Sequence, residues 1–322
     1  MTGMSVIDET AVAARRARAV AAATAAGRHL GLPVTEPRVL YDVFSVIVHL
    51  APAPVVVRVP TVLPRTVTAD PGTQACQQRA ELAVAGWLAD QGHPVVAPSP
   101  LVPREPVRWD GYSMTFWQLV DQVTAQAGAA EPDPQSRAEA ATELHAVLRD
   151  YPGELSFLVP LDASVPDGIA QLEGRPDLLD PELVGRARHE WALLEPLVTT
   201  SEAFAAAFPG LDVQPIHGDA PAYNMISTPD GELCSDFEHT TLGPVEWDLS
   251  FTGPDERAAY DAAAERLGLR PLDGRLMRVM ERARMLQFVA CLPMAHQLPG
   301  LLDGLRSMIE LWRTTPALAE IL

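Results

Sequence analysis

Apolar and β-branched residues divide the start of the chain into a helix, a group of strands and a second helix. Residues 9–30 carry apolar positions at helical spacing and stop before Gly31, which predicts a leading helix. Residues 38–59 contain β-branched runs interrupted by two prolines, a pattern that predicts three antiparallel strands. Residues 74–92 return to helical spacing, with an apolar face that ends at a glycine.

A change in composition near residue 120 predicts a boundary between two domains. Residues 95–98 and 112–119 are apolar and aromatic runs that predict two closing strands, with a proline-rich loop between them. A Gly/Ala/Pro-rich linker follows over residues 126–134. The predicted domains are therefore residues 1–120 and residues 121–322.

The second domain is predicted to be mainly helical, so the fold class is α+β. A stretch rich in proline and glycine, residues 152–180, predicts irregular structure. The turn residues Pro229, Asp230 and Gly231 lie between two short apolar runs and predict a hairpin. Amphipathic spacing predicts helices over residues 136–150, 181–199, 255–267, 274–296 and 301–322.

Composition restricts the class of protein. The chain has 322 residues, a hydrophobic share of 48% and three scattered cysteines, which predict a globular cytoplasmic protein with reduced thiols. No apolar run reaches the length of a membrane span, and the first residues do not resemble a signal peptide. The net charge of -18 argues against nucleic acid as a partner. The charge is compatible with a cationic substrate, although an acidic surface that favours solubility is the simpler explanation.

The strongest chemical signal lies in residues 216–236. His217, Gly218 and Asp219 open the stretch, Asn224 follows five positions after the aspartate, and the hairpin delivers Asp236. Phosphoryl transfer needs a carboxylate that accepts the proton of a hydroxyl, and Asp219 suits this role. Mg²⁺ takes few, hard oxygen ligands from protein, and Asn224 and Asp236 suit that role. A turn with a capping aspartate is the alternative explanation for the first three residues alone.

The spacing of these residues resembles the aminoglycoside phosphotransferase and choline kinase family, whose loop reads His-Gly-Asp where protein kinases read His-Arg-Asp. The resemblance implies a two-lobed protein kinase-like fold. Its first lobe would be an antiparallel sheet with a helix, and its second lobe would be helical with a catalytic hairpin. It implies ATP or GTP and Mg²⁺ as cofactors and a small-molecule hydroxyl as acceptor. His217 and Asp248 would be structural within the site, with Asp248 bracing the loop and capping the next helix.

The resemblance also assigns residues to the nucleotide. The basic residue of the third strand is Arg58, and Glu81 in the following helix is its expected ion-pair partner. Ser45 lies in the expected nucleotide-covering turn. The expected hinge for the adenine base contains Gln118 and Val120, with Phe116 as its back wall.

Other residues of the second lobe remain open to two interpretations. His145 is expected to be a core histidine under the loop, and Glu238 to lie near the metal or the acceptor. The acids Asp255, Glu256 and Asp261 either hold substrate amines or favour a helix N-terminus.

Two departures from the family pattern leave alternatives open. The chain contains no lysine, so an arginine stands where the family has lysine, and the two cations bind phosphate differently. No glycine lies between Tyr41 and Val57, so the covering turn lacks the residues that allow close backbone approach to phosphates. A kinase of another hydroxylated metabolite (choline-like, sugar, amino alcohol or macrolide) and a catalytically weak pseudokinase are the alternative functions.

Overall fold

The computed structural model describes residues 9–123, 133–298 and 300–321. Its first part is a five-stranded antiparallel sheet in the order β1-β2-β3-β5-β4. Two-residue and other short connections join the first strands, so neighbours in sequence are neighbours in the sheet. The strands are β1 (Val34–Asp42), β2 (Ser45–Pro52), β3 (Val55–Pro60), β4 (Val107–Trp109) and β5 (Tyr112–Gln118).

Each face of the sheet is covered by different residues. The apolar side chains of one face, including Val48, Val57 and Phe116, pack against the alanines of α1 (Glu9–His29). Arg58 is one position from Val57 and therefore lies on the opposite face, where Ile47 and Thr115 are its strand partners. The pleat of β3 thus separates a dry apolar core from a face that carries a cation.

Three helices begin with an aspartate followed by a proline. In α3 (Pro71–Asp90), α4 (Pro134–Leu148) and α6 (Pro181–Val198), the aspartate before the proline accepts hydrogen bonds from backbone N–H groups of the first turn. Proline costs nothing at this position because the first N–H groups of a helix have no partner within it. Local sequence therefore determines where these helices start.

The second part of the molecule is mainly helical and has its own core. Trp191, Trp247, Tyr260 and Leu286 are among its buried side chains. Its remaining helices are α5 (Ser164–Gln171), α7 (Ser201–Ala207), α8 (Pro254–Leu267), α9 (Gly274–Cys291) and α10 (Leu301–Thr314). The short helix α2 (Arg65–Ala69) belongs to the first part.

Two small ribbons lie between these helices and carry the candidate chemistry. Strand β6 (Gln214–Ile216) pairs with β9 (Thr241–Gly243), and β7 (Met225–Thr228) pairs with β8 (Gly231–Cys234). The register of the second pair leaves Pro229 and Asp230 as the turn, as the sequence predicted.

Several sequence predictions are wrong in detail. Residues 95–98 form only isolated bridges, from Val95 to Cys234 and from Pro98 to Trp117, because prolines at positions 94 and 98 interrupt regular pairing. Strand β4 and helices α2, α5 and α7 were not predicted, and α5 lies inside the stretch expected to be irregular. Helices α9 and α10 end earlier than predicted.

The predicted domain boundary is not tested by these elements. Within the linker predicted over residues 126–134, residues 126–132 lie outside the described residues, and Pro134 already begins α4. Among the described helices, none is both long and apolar enough to cross a lipid bilayer.

Candidate active site

The loop that carries Asp219 begins where β6 ends. Gly218 has a φ of +87°, and a Cβ at this position would lie 1.9 Å from the carbonyl oxygen of His239. Only glycine combines this left-handed conformation with so close a backbone neighbour. The middle residue of the His-Gly-Asp sequence is therefore required by the path of the chain.

His217 is buried and connects the loop to the segment that follows the hairpin. Its Nε2 lies 2.9 Å from the carbonyl oxygen of Ser235, and its ring packs against Phe237 at a centroid distance of 4.9 Å. Nδ1 accepts a hydrogen bond from the backbone N–H of Asp219 over 3.3 Å. These contacts fit a residue that orients the loop.

Asp248 anchors the same loop from the other side. Its carboxylate accepts hydrogen bonds from the backbone N–H of His217 (2.9 Å) and of Gly218 (2.8 Å). It also accepts from Nε2 of His145 over 3.0 Å, while Nδ1 of His145 lies 2.8 Å from the hydroxyl of Tyr260. Because Nε2 donates its N–H to the carboxylate, Nδ1 carries no hydrogen and accepts the hydrogen bond of the tyrosine hydroxyl.

The environment of Asp248 keeps it ionised although it is fully buried. Burial raises the pKa of this carboxyl, but the hydrogen bond from His145 and the electrostatic interactions with His145, His217 and Arg284 outweigh burial and hold the pKa below its usual value of 3.8. The prediction that Asp248 caps the next helix is wrong. Helix α8 begins at Pro254 after Gly253, and the Asp248 side chain instead forms hydrogen bonds with the loop.

Asp219 presents its carboxylate to the open side of the loop. Its side chain is 41% exposed, and its Oδ1 lies 3.1 Å from Nη1 of Arg284 in α9. Asn224 Nδ2 donates to the backbone carbonyl of Asp219 over 2.6 Å, which leaves Asn224 Oδ1 available. The backbone carbonyl of Asn224 accepts from both the N–H (2.9 Å) and the hydroxyl (2.8 Å) of Ser235, the residue before Asp236.

Asn224 and Asp236, the predicted metal ligands, are connected through these hydrogen bonds of Ser235. Asp236 has a φ of 62°, so its backbone is left-handed, and its side chain is 40% exposed. A free amide oxygen and an exposed carboxylate are hard donors that fit Mg²⁺, which keeps several waters and uses few protein ligands. Within the described ranges, no cluster of three or more His, Cys, Asp or Glu side chains could hold a metal ion.

Arg58 faces this site from the sheet. Its guanidinium forms ion pairs with Glu81 of α3 and with Glu238, and its Nη1 lies 4.0 Å from Oδ1 of Asp236. Burial raises the pKa of Glu81 to about 7, although the charge of Arg58 acts in the opposite direction. The pairing of Arg58 with Glu81 is the one expected from the sequence, and Glu238 is an additional partner.

Comparison with known proteins now assigns the chain. The model of the phosphotransferase enzyme family matches residues 46–286, a range that contains Arg58, Glu81, Asp219, Asn224 and Asp236. The chain belongs to this family. The predicted family and enzyme class, a phosphotransferase, are thereby confirmed. No curated protein matches the sequence of this phosphotransferase.

Solved structures confirm the kinase-like fold of the phosphotransferase. Choline kinase LicA from Streptococcus pneumoniae is 14% identical, with a TM-score of 0.55, covering 86% of this chain and 90% of that one. Aminoglycoside phosphotransferase APH(3'')-Id from Streptomyces rimosus is 19% identical, with a TM-score of 0.51 and coverages of 88% and 99%. Spectinomycin phosphotransferase APH(9)-Ia, solved with ADP and spectinomycin, is 11% identical, with a TM-score of 0.52 and coverages of 90% and 93%. At these identities the likeness establishes the fold.

The residues of the first sheet that were expected to contact the nucleotide do not all lie on the same face of that sheet. Ser45 pairs with Pro60 at the start of β2 and lies on the same face of the sheet as Arg58. Phe116 does not form a back wall for the base, because strand alternation turns it to the opposite face, into the core under α1. Trp117 and Thr115 are on the face of Arg58 instead.

The predicted hinge is partly occupied by the protein's own hydrogen bonds. The backbone N–H of Gln118 donates to the carbonyl of Ala97, and that of Leu119 donates to the carbonyl of Pro54. Gln118 is therefore not an available backbone donor in this conformation. Val120 follows the end of β5, and its role at the hinge remains a prediction.

The acids of the second part have protein partners. Glu256 is buried against Arg137, and Asp261 accepts a hydrogen bond from the backbone N–H of Leu272. These contacts favour a structural role for both over the binding of substrate amines.

Sequence reasoning missed Arg284. A signal for it exists, because Arg284 shares a helix face with the buried Met277 and Met280, and a cation on an apolar face needs a partner. The partner, Asp219, is 65 positions away, and no local pattern identifies it.

Proposed function

We propose that this phosphotransferase uses ATP or GTP and transfers the γ-phosphate to a hydroxyl group of a small molecule. The observation that carries the proposal is the arrangement of Asp219, Asn224 and Asp236 around one loop and hairpin, with the Arg58 guanidinium opposite them. Nucleotide use is also supported by the spectinomycin phosphotransferase neighbour, which was solved with ADP.

Asp219 is proposed as the proton acceptor. Its Oδ2 makes no hydrogen bond within the described chain, and its side chain is open to solvent. The acceptor oxygen would form the new bond to phosphorus as the bond to the leaving diphosphate breaks, and the hydroxyl proton would pass to Asp219. Most of the catalytic effect then comes from positioning and from neutralising charge.

Asn224 and Asp236 are proposed to hold Mg²⁺ through Oδ1 and the carboxylate. When bound, the ion would neutralise charge on the phosphates. Arg58 is proposed to contact the phosphates and Glu81 to orient it, because a buried carboxylate restricts the direction of the guanidinium. Glu238, also paired with Arg58, lies two residues after Asp236 and is proposed to act next to the metal.

The acceptor is proposed to be a small hydroxylated molecule, either cationic or neutral, and the protein to act in the cytoplasm. The two solved neighbours named as a choline kinase and an aminoglycoside phosphotransferase define a first panel of acceptors. Amino alcohols, sugars and macrolides extend this panel. The rate of ADP formation with each acceptor identifies the substrate class.

A catalytically weak nucleotide-binding module is the second candidate. It is favoured by the engagement of Arg58 with two carboxylates, Glu81 and Glu238, and by the residues Val43 and Phe44 in the turn where close backbone approach to phosphates would favour glycine. Thermal shift with Mg²⁺ and ATP, followed by turnover on the same sample, separates binding from chemistry.

The decisive experiment replaces the proposed base. Asp219→Asn keeps the size of the side chain but removes the proton acceptor, and we expect turnover to fall by about 10²- to 10⁴-fold. Asp230→Asn is the matched control, because Asp230 is an exposed aspartate in the hairpin turn. Wild-type turnover in folded Asp219→Asn would overturn the proposed function.

A further inference from the structure

The buried guanidinium of Arg284 lies directly behind the proposed base. Its side chain is only 4% exposed, and its Nη1 lies 3.1 Å from Oδ1 of Asp219. The guanidinium carbon lies 3.9 Å from the centre of the Trp247 ring, which places the cation on an aromatic face.

Further contacts hold the guanidinium in one orientation. Nη2 donates to the carbonyl oxygens of Gly218 (3.4 Å) and Trp247 (3.3 Å), and Nη1 also donates to Oε1 of Gln287 (3.2 Å). Arg284 therefore connects the backbone of the His-Gly-Asp loop, the side chain of Asp219 and the segment that contains Trp247. A planar guanidinium can bridge several acceptors in this way, whereas a lysine ammonium cannot keep the same geometry.

Burial alone would disfavour a cation at this position. Burial lowers the pKa of Arg284, and the negative charges of Asp219 and Asp248 act in the opposite direction. The opposite charges of Arg284 and Asp219 therefore offset each other over a distance of 3.1 Å.

We propose that Arg284 is a positioning residue for phosphoryl transfer. It holds Oδ1 of Asp219 in place and so directs Oδ2 toward the acceptor hydroxyl. The inference rests on the proposed function, in which Asp219 accepts the hydroxyl proton. It adds a residue of α9, outside the loop and hairpin, to the machinery of the reaction.

The test compares Arg284→Met, Arg284→Lys and Arg282→Met. Methionine keeps an apolar stem on Trp247 but removes the charge and the donors. Lysine keeps the charge and loses the planar fork. Arg282 is the matched control, since it is a buried arginine of the same helix that pairs with Glu190 and the carbonyl of Pro316.

For Arg284→Met we expect kcat to fall about 10- to 100-fold, because small misplacement of a catalytic group is costly. The KM for nucleotide should change by less than about threefold, since phosphate contacts are not altered. Arg284→Lys should recover part of kcat, because it keeps the charge beside Asp219.

Arg282→Met should lower the melting temperature but leave kcat and the KM for nucleotide unchanged. Rates are measured with the acceptor that the panel identifies, or as nucleotide hydrolysis in its absence. Wild-type kcat in folded Arg284→Met would overturn the proposal. If that variant does not fold, Arg284→Lys provides the test. Wild-type kinetics for Arg284→Lys would then overturn the proposal. If Asp219→Asn is inactive and Arg284→Met is fully active, the positioning role of Arg284 is rejected and the proposed function is retained.

Discussion

Gly218 and Asp248 together determine the shape of the loop that presents Asp219. Gly218 allows the close approach to the His239 carbonyl, and Asp248 binds the two N–H groups that the turned loop exposes to the interior. A buried N–H without a partner is costly, so the carboxylate makes the turned conformation stable. The rigidity of the proposed base thus depends on a residue 29 positions later in the chain.

Asp248→Asn tests this anchoring. An amide offers one acceptor oxygen where the carboxylate offers two, so at least one of the N–H groups of His217, Gly218 and His145 loses its partner. We expect a loss of about 1–3 kcal/mol in the free energy of unfolding, together with a lower kcat. Chemical denaturation of both proteins at neutral pH measures the difference.

The pH dependence of that difference follows from the lowered pKa of Asp248. A carboxyl with a lowered pKa in the folded state contributes stability above its usual value of 3.8 and loses it as the pH falls through the folded-state pKa. The difference between wild type and Asp248→Asn should be constant near neutrality and shrink below pH 3.8. A difference that instead grows with acid would show that Asp248 is not held ionised.

Helix α1 is more than a cover for the sheet. Nη2 of its Arg15 lies 2.9 Å from Oδ1 of Asp42 at the end of β1, and Nη1 donates to the carbonyl of Gln297 over 2.8 Å. Arg16 forms a second ion pair with Asp42. One helix therefore connects the turn between β1 and β2 with the segment that follows α9.

Arg15→Met should weaken this connection. The buried Asp42 keeps Arg16, but the Gln297 carbonyl loses its donor, so we expect a loss of about 1–3 kcal/mol in stability. Faster hydrogen exchange in residues 43–44 and 292–297 would show that these two segments have lost stability. Arg18→Met, an exposed position of the same helix, should change neither stability nor exchange. Equal behaviour of the two variants would contradict the role of Arg15.

The packing of the whole molecule determines which thiols can react. Cys76 is exposed, whereas burial raises the pKa of Cys234 to about 12 and, together with the charge of Asp219, that of Cys291 to about 11. The thiolate is the reactive form, so protonation protects both Cys234 and Cys291, and burial also denies access to Cys234.

A thiol titration near pH 8 should therefore give one fast equivalent per native chain and three after unfolding. The second and third equivalents should appear at the rate of unfolding. Fast reaction of all three thiols in the native protein would show that the cores around Cys234 and Cys291 are open.

Much of the fold could be predicted because its signals are local. The strands β1 to β3 and the helix α1 follow from β-branched runs and alanine spacing within a few positions. The short elements β4, α2, α5 and α7 could not be predicted from such signals. They are too short to show a period, and packing against the rest of the chain stabilises them.

The sequence by itself determined the set of residues in the proposed site, since Asp219, Asn224 and Asp236 are joined by a turn and a hairpin whose geometry depends on neighbouring residues. Only the tertiary structure decided what surrounds them. Arg284 beside Asp219, Glu238 beside Arg58 and His145 beside Asp248 are contacts between residues 65, 180 and 103 positions apart. Buried charges and polar groups select their partners by proximity in the folded chain, and that proximity is created by the packing of helices and sheet.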